Sequence, residues 1–279
     1  RCLCNVFGSL DRIHRLCTLD QHSTADWDLI QGSFGMSHHT ISAQNLQYTY
    51  PDHTPALLGV DFLITHGESV ALIGGNGAGK STLLSLLVGI VFPTAGAIAV
   101  GGMEMTHKTA TEIRRRMGMV FQNPDDQLFM PTVLDDVAFG PLNMGFSPEK
   151  VKQLANEALI TVGAASLGKR SSHRLSTGEK RAVSIASVLA MTPDVLLMDE
   201  PTSGLDPWSR RQLIHLLRNF EHTRLIATHD LDFAMDVCQR TLVLQNGRIV
   251  ADGPTSEIMC NEELLASCRL ELPLRLQKF

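Results

Sequence analysis

The most pointed chemistry in this chain lies in a few glycines, a lysine and a serine at fixed spacing. The stretch from Val70 to Leu84, VALIGGNGAGKSTLL, contains G-x-x-x-x-G-K-S as Gly74, Gly79, Lys80 and Ser81, the pattern of a phosphate-binding loop. Glycines at 74, 75, 77 and 79 let the backbone take positive φ and approach a phosphate chain closely. Backbone amides from Gly74-Gly75-Asn76-Gly77-Ala78-Gly79 onward to Thr82 then gather at a helix N-terminus, where unsatisfied donors and the helix dipole favour an anion. Lys80 supplies a point charge for the outer phosphates, and the Ser81 hydroxyl can ligate Mg²⁺. Val70-Ala71-Leu72-Ile73 supplies the buried strand this loop needs in front, and Thr82-Leu83-Leu84 opens the helix behind. The pattern predicts a nucleoside-triphosphate site.

Other residues able to serve such a site sit at the ends of apolar runs. Gln122 closes Met117–Phe121, and in a parallel α/β sheet ligands bind at the carboxyl ends of strands; there it can ligate Mg²⁺ or position water. Val195–Met198 closes on Asp199-Glu200. Adjacent carboxylates on a strand point to opposite faces, so distinct tasks are expected: Asp199 holding Mg²⁺ through its water shell, Glu200 orienting or deprotonating the attacking water. Leu225–Thr228 ends in His229, within reach of a γ-phosphate or else a plain polar cap. Tyr50, upstream of the loop, is either core or a platform for a base. Ser176 and Glu179 form S-x-x-E, a capping box that on its own reads as an ordinary helix start. Asp206 lies in the tight turn Ser203–Pro207.

These residues need a scaffold, and the chain is long enough to build one. Its 279 residues are 44% hydrophobic and 19% charged, ample for a buried core. A net charge of −5 argues against a nucleic-acid binder, which carries a basic excess. Cysteines at 2, 4, 17, 238, 260 and 268 show neither zinc spacing nor a disulfide framework, so reduced thiols are expected. Residues 81–103 carry no charge, the length of a membrane span, but Pro93, Gly96, Gly101 and Gly102 interrupt them. That stretch instead reads as a helix to about Val91, a turn at Pro93–Gly96 and a strand through Ile98–Val100. Strands are predicted over Ile41–Tyr50 and Leu57–Ile64, a helix from Ala110 with Arg114–Arg116 as a solvated face, and a largely helical run from Gln127 to Leu167. A hairpin at Asn246-Gly247 carries the strongest short turn signal. Residues 1–35 lack any sustained period and precede Met36, the expected natural start; they are set aside as a non-native or disordered leader. His38-His39 reads as surface.

In chain order the motifs are an aromatic, the phosphate loop, a strand-end Gln, LSTGE, apolar-DE, SGLD and a strand-end His. That series resembles the ATP-binding subunit of ABC transporters across most of residues 40–255. LSTGE departs from the usual LSGGQ at Thr177 and Glu179 while keeping Ser176 and Gly178. VFQNPDDQLF (120–129), TVLDDVAFGPLN (132–143) and LELPLRLQ (270–277) are similar to energy-coupling-factor importers, closest to their cobalt/nickel ATPase. The resemblance implies an α/β fold: a P-loop NTPase (RecA-like) core with an antiparallel β subdomain and an α-helical subdomain at about 123–190, within one nucleotide-binding domain at 36–279. It further implies ATP and Mg²⁺, hydrolysis coupled to import, and two half-sites completed across a homodimer or a paralogous heterodimer. Tyr50, the loop, Gln122, Asp199, Glu200 and His229 would belong to one half, Ser176 and Gly178 to the facing half, with Asp206 near the dyad. An integral membrane coupling protein and a membrane substrate-binding component would be partners, with Asp125 and Asp126 as acceptors for arginines on the coupling protein, and the subunit peripheral on the cytoplasmic face. Two readings compete: an ABC ATPase of DNA repair or chromosome structure, for which no long heptad run is present, and a ribosome-acting factor, for which a second phosphate loop is missing.

Overall fold

The computed structural model describes residues 40–277; the expected leader and His38-His39 lie outside them. In chain order come β1 (Ile41–Thr49), β2 (Pro55–Ile64), β3 (Ser69–Ile73), α1 (Lys80–Leu87), β4 (Ala95–Val100) and β5 (Met103–Glu104). Next are α2 (Ala110–Arg116), β6 (Met117–Val120), α3 (Val133–Asn143), α4 (Pro148–Thr161) and α5 (Thr177–Leu189). The chain continues with β7 (Val195–Asp199), α6 (Pro207–Arg218), β8 (Thr223–Ala227) and α7 (Leu231–Val237), then β9 (Arg240–Gln245), β10 (Arg248–Pro254), α8 (Thr255–Ile258) and α9 (Glu262–Ser267).

Two sheets result. One is antiparallel, ordered β2-β1-β4-β5. Along β1 the inward positions Ile41, Ala43, Leu46 and Tyr48 are buried, with a bulge at Asn45, whose φ is 42°, accounting for the slip in alternation. The other sheet runs β10-β9-β3-β8-β7-β6; all its pairs are parallel except the β9–β10 hairpin, whose Asn246 and Gly247 turn at φ 48° and 73°.

The parallel strands are apolar on both faces, as strands covered on both sides must be. On β3 and β7, Val70, Leu72, Val195 and Leu197 join the core shared with the antiparallel sheet. Ala71, Ile73, Leu196 and Met198 face the opposite core with α5, α6 and α7. Each fully buried Val, Leu or Ile contributes about 1.5–3 kcal/mol of transfer free energy. A third core joins α3, α4 and α5 through Val133, Val137, Leu159 and Val183. In α4, Val151, Leu154, Ala155, Ala158 and Leu159 form the buried stripe, and Ser147 caps it by accepting from the Lys150 N–H at 3.3 Å.

Three local expectations are revised. The helix after the phosphate loop ends at Leu87, because Gly89 turns left-handed at φ 68°. Ala95-Gly96 belong to β4: Gly96, at φ 82°, passes so near the neighbouring strand that a Cβ would lie 2.3 Å from the Asn45 carbonyl oxygen. The run from Gln127 to Leu167 resolves into α3 and α4, separated at Met144–Phe146.

Candidate functional site

Parallel pairing brings three strand ends to one edge. The register Asp199↔Ala227 and the bond from the Thr228 N–H to the Leu72 carbonyl, 3.1 Å, set Gly74, Asp199-Glu200 and His229 side by side. This is the edge where open α/β sheets bind ligands.

The phosphate loop leaves β3 at Gly74 and enters α1 through Gly79, at φ 109° with no side-chain cap. Gly77 also takes positive φ, and Asn76 and Gly77 are exposed. The loop is pinned from behind: the Ala78 carbonyl accepts from the Gly247 N–H at 3.1 Å, and the Gly247 carbonyl from Leu58 at 2.8 Å. Lys80 is buried, its ammonium donating to the carbonyls of Gly74 at 2.8 Å and Gly75 at 3.3 Å. A cation is thus held inside the curl of the loop. Beyond it the Cys268 carbonyl approaches Gly75 closely enough to stand 3.3 Å from a Cβ placed there. Tyr50 keeps 40% of its surface exposed while its hydroxyl meets Thr82 Oγ1 at 2.7 Å. Its ring meets Tyr48 edge-on.

Asp199 is the last residue of β7 and 4% exposed. Burial raises its pKa; the neighbouring Ser81 hydroxyl, Lys80 and Arg181 pull it down, and Glu200 pushes it up. Its Oδ1 is buried with no hydrogen-bond partner among the described residues. Glu200 was expected on the strand with its carboxylate on the opposite face; it lies one residue beyond, at φ 46°, so period-two alternation does not set its direction. Its carboxylate is aimed instead by His229, which donates from Nδ1 at 2.8 Å and from its backbone N–H at 3.2 Å, both to Oε2. A left-handed non-glycine residue costs of order 1–3 kcal/mol and persists only where its surroundings enforce it.

Gln122 follows β6 and is exposed. Ser176 caps α5, and the full capping box is present: Ser176 Oγ accepts from the Glu179 N–H, and Glu179 accepts from the Ser176 N–H at 2.8 Å. Asp206 caps α6, accepting from the N–H groups of Trp208 and Ser209 and from the Ser209 hydroxyl. Gly178 packs so tightly on this cap that a Cβ there would fall 2.8 Å from Ser209 Oγ. Ser176, Gly178 and Asp206 therefore form one cluster, on the rim of an open cavity of about 1170 Å³ between α4, α5 and α6. Residues 74–82 do not line that cavity. The residues expected around a nucleotide are thus gathered in two groups.

Some side chains that contact these segments escaped the sequence reading. Arg210 pairs with Asp230, beside His229, at 2.9 and 3.0 Å. Lys180 pairs with Asp125 at 2.6 Å. Arg181 is 2% exposed and bonds the carbonyls of Phe121 and Gln122. Its position one turn before Ile185 on the buried stripe of α5 was the available signal. Among the described residues no group of three His, Cys, Asp or Glu is placed to hold a metal ion, and no helix is long and apolar enough to cross a membrane.

Comparison with known proteins gives concordant matches. The ABC transporter family profile matches residues 57–203. A putative ABC transporter ATP-binding protein of Geobacter sulfurreducens is 57% identical over 87% of this chain and 97% of its own length. An energy-coupling factor transporter ATP-binding protein of Methanospirillum hungatei is 44% identical over 85% and 87%. Among solved structures, CbiO1 of Clostridium perfringens, described as part of the ABC transporter complex CbiONQ, superposes with TM-score 0.73 at 36% identity, covering 83% of this chain and 94% of that one. A dimeric bacterial ABC transporter cassette gives 0.70 at 28%, covering 77% and 98%.

Proposed function

Because this chain belongs to the ABC transporter family as an ATP-hydrolysing, ATP-binding subunit, we propose that it powers an energy-coupling-factor importer carrying cobalt or nickel ions. Support for the importer class comes from the similarity to the energy-coupling factor ATPase and to CbiO1, together with the three segments quoted above. The ion is carried by the membrane partners, so its identity is the part of the proposal that uptake must decide. A coupling protein and a substrate-binding component in the membrane would complete the assembly, with this subunit peripheral on the cytoplasmic face.

One observation carries the mechanism: Ser176, Gly178 and Asp206 cluster around a cavity that the phosphate loop does not line. Two copies, or a copy and a paralogue, placed head to tail would bring each such cluster to the other's phosphate loop. ATP then joins the halves, and hydrolysis releases them. In each site the amides of residues 74–82 and Lys80 hold the phosphates, and Tyr50 offers its ring to the base. Glu200, oriented by His229, takes the proton of the attacking water, and Gln122 orients that water. The donor set fits Mg²⁺: Asp199 Oδ1 is buried without a hydrogen-bond partner among the described residues, and the Ser81 hydroxyl is beside it. Bound there, the ion would neutralise charge on the outer phosphates. Asp125 and Asp126 would offer acidic anchors to the membrane partner, with Asp125 shared with Lys180.

The test is uptake. Deleting the gene should abolish ATP-dependent accumulation of radioactive cobalt or nickel, and the wild-type chain, but not Glu200→Gln, should restore it. Unchanged uptake of both ions would refute the cargo while leaving the ATPase assignment intact.

A further inference from the structure

Phe121, at the junction between β6 and Gln122, is hydrogen-bonded through its backbone to two side chains. Its N–H donates to Gln127 Oε1 at 3.2 Å, and Gln127 in turn donates from Nε2 to the Ser184 carbonyl and the Ser187 hydroxyl of α5. Its carbonyl accepts from Arg181 Nη1 at 2.6 Å, while Arg181 Nη2 reaches the Gln122 carbonyl at 2.5 Å. Both polar groups of residue 121 and the carbonyl of residue 122 are therefore held by side chains tied to α5, the helix whose first turn carries Ser176 and Gly178.

Arg181 is an expensive way to make that attachment. A guanidinium 2% exposed loses its water shell, and its Nε has no hydrogen-bond partner among the described residues. The Asp199 carboxylate acts on the guanidinium through its charge, but a buried ion is a weak source of stability, since an apolar side chain of similar volume often does as well or better. What a guanidinium offers instead is a planar fork with fixed angles between its N–H groups. Two consecutive carbonyls gripped by one fork are fixed in orientation as well as distance, and the exposed Gln122 side chain leaves from the second of them.

We infer that Arg181 is a positioning residue for hydrolysis: it rigidly couples the direction of Gln122 to the pose of α5, so that the strand-end glutamine reaches its working geometry only when Ser176 and Gly178 are also in place. The inference rests on the assignment of Gln122 to the nucleotide site. It gives a buried charge a reason to exist, and explains why the guanidinium makes its hydrogen bonds to backbone carbonyls.

The experiment uses the purified full chain and four variants: Arg181→Met, Arg181→Lys, Gln122→Ala and the Arg181→Met/Gln122→Ala pair. Phosphate release gives kcat and KM, titration with a fluorescent ATP analogue gives affinity, and a thermal melt checks the fold. Misplacing a reacting group by about 1 Å costs on the order of 10²-fold, so Arg181→Met should lose about 10- to 100-fold in kcat with affinity and KM little changed. Arg181→Lys, able to serve one carbonyl at a time, should recover part of that loss. Because Arg181 acts through Gln122, the pair should be no slower than the slower single variant. Arg181→Met with wild-type kcat, a raised KM at unchanged kcat, or losses that multiply in the pair would each overturn the inference. Should Arg181→Met fail to fold, the Lys variant carries the same kcat criterion. Wild-type kcat in Gln122→Ala would instead remove the glutamine assignment beneath it.

Discussion

Replacing Glu200 with glutamine removes one proton acceptor and little else. Both hydrogen bonds from His229 fall on Oε2, leaving Oε1 for a water molecule. A glutamine amide oxygen in place of Oε2 can still accept from both the backbone and the ring N–H of His229, with the amide NH₂ at the Oε1 position, so the geometry survives. The water, however, faces a group that cannot take its proton. A positioned general base is worth about 10²- to 10⁴-fold, or roughly 3–5 kcal/mol of barrier. Turnover at saturating ATP should fall by that factor with ATP affinity retained, and the ATP-loaded variant should elute as a dimer on a sizing column. His229→Ala, which keeps the carboxylate and loses only its aim, should cost about tenfold by loss of orientation. The reasoning fails if Glu200→Gln keeps turnover within about threefold of wild type, or if His229→Ala is the more damaging change.

Three further outcomes are expected. Gly79→Ala should abolish nucleotide binding and lower stability by about 1–3 kcal/mol, because φ is 109° and the new Cβ would sit 2.9 Å from the Ala56 carbonyl oxygen and from Leu57 Cδ2; unchanged ATP affinity would contradict this. Burial pushes the Cys238 thiol up to about 11, so at pH 8 iodoacetamide should label exposed Cys260 well before Cys238, as read by peptide mass mapping; early labelling of Cys238 would show that this part of the core opens. Burial pulls the Asp232 pKa upward, but hydrogen bonds from Arg275 and the Leu274 N–H outweigh it and leave the pKa below the usual 3.8. A depressed carboxylate stabilises the fold above its unfolded pKa and loses that contribution as pH falls through the folded value. The difference in urea midpoint between wild type and Asp232→Asn should therefore be present at pH 7 and shrink by pH 3, and a constant difference would refute the ion pair's role.

The phosphate loop was legible because its signal is local: glycine spacing dictates the curl, and the apolar run before it dictates a strand. The hairpin at Asn246-Gly247 was legible for the same reason. Glu200 was misread because a strand pattern cannot reveal that the strand stops one residue early, where the pairing of β7 with β8 gives way to a left-handed turn. Gly96 read as a turn glycine when it serves close approach of two strands, a fact written only in the position of Asn45. The LSTGE capping box could be read residue by residue, but its packing on the Asp206 cap joins segments about 30 positions apart. Arg181 was hardest, since a charged run such as Glu179-Lys180-Arg181 on an amphipathic helix ordinarily marks the wet face.

The place of β3 in its sheet has a consequence for synthesis. The strand that launches the phosphate loop hydrogen-bonds to β8 and β9 on its two sides, and the loop's own brace is the Gly247 turn. A growing polypeptide has already made residues 69–82 long before either flank or brace has left the ribosome. Affinity for nucleotide should consequently switch on late and abruptly, once about residue 250 has emerged. Until then the earliest and most apolar strand of the central sheet has no native neighbour, which makes it the segment most in need of chaperone cover.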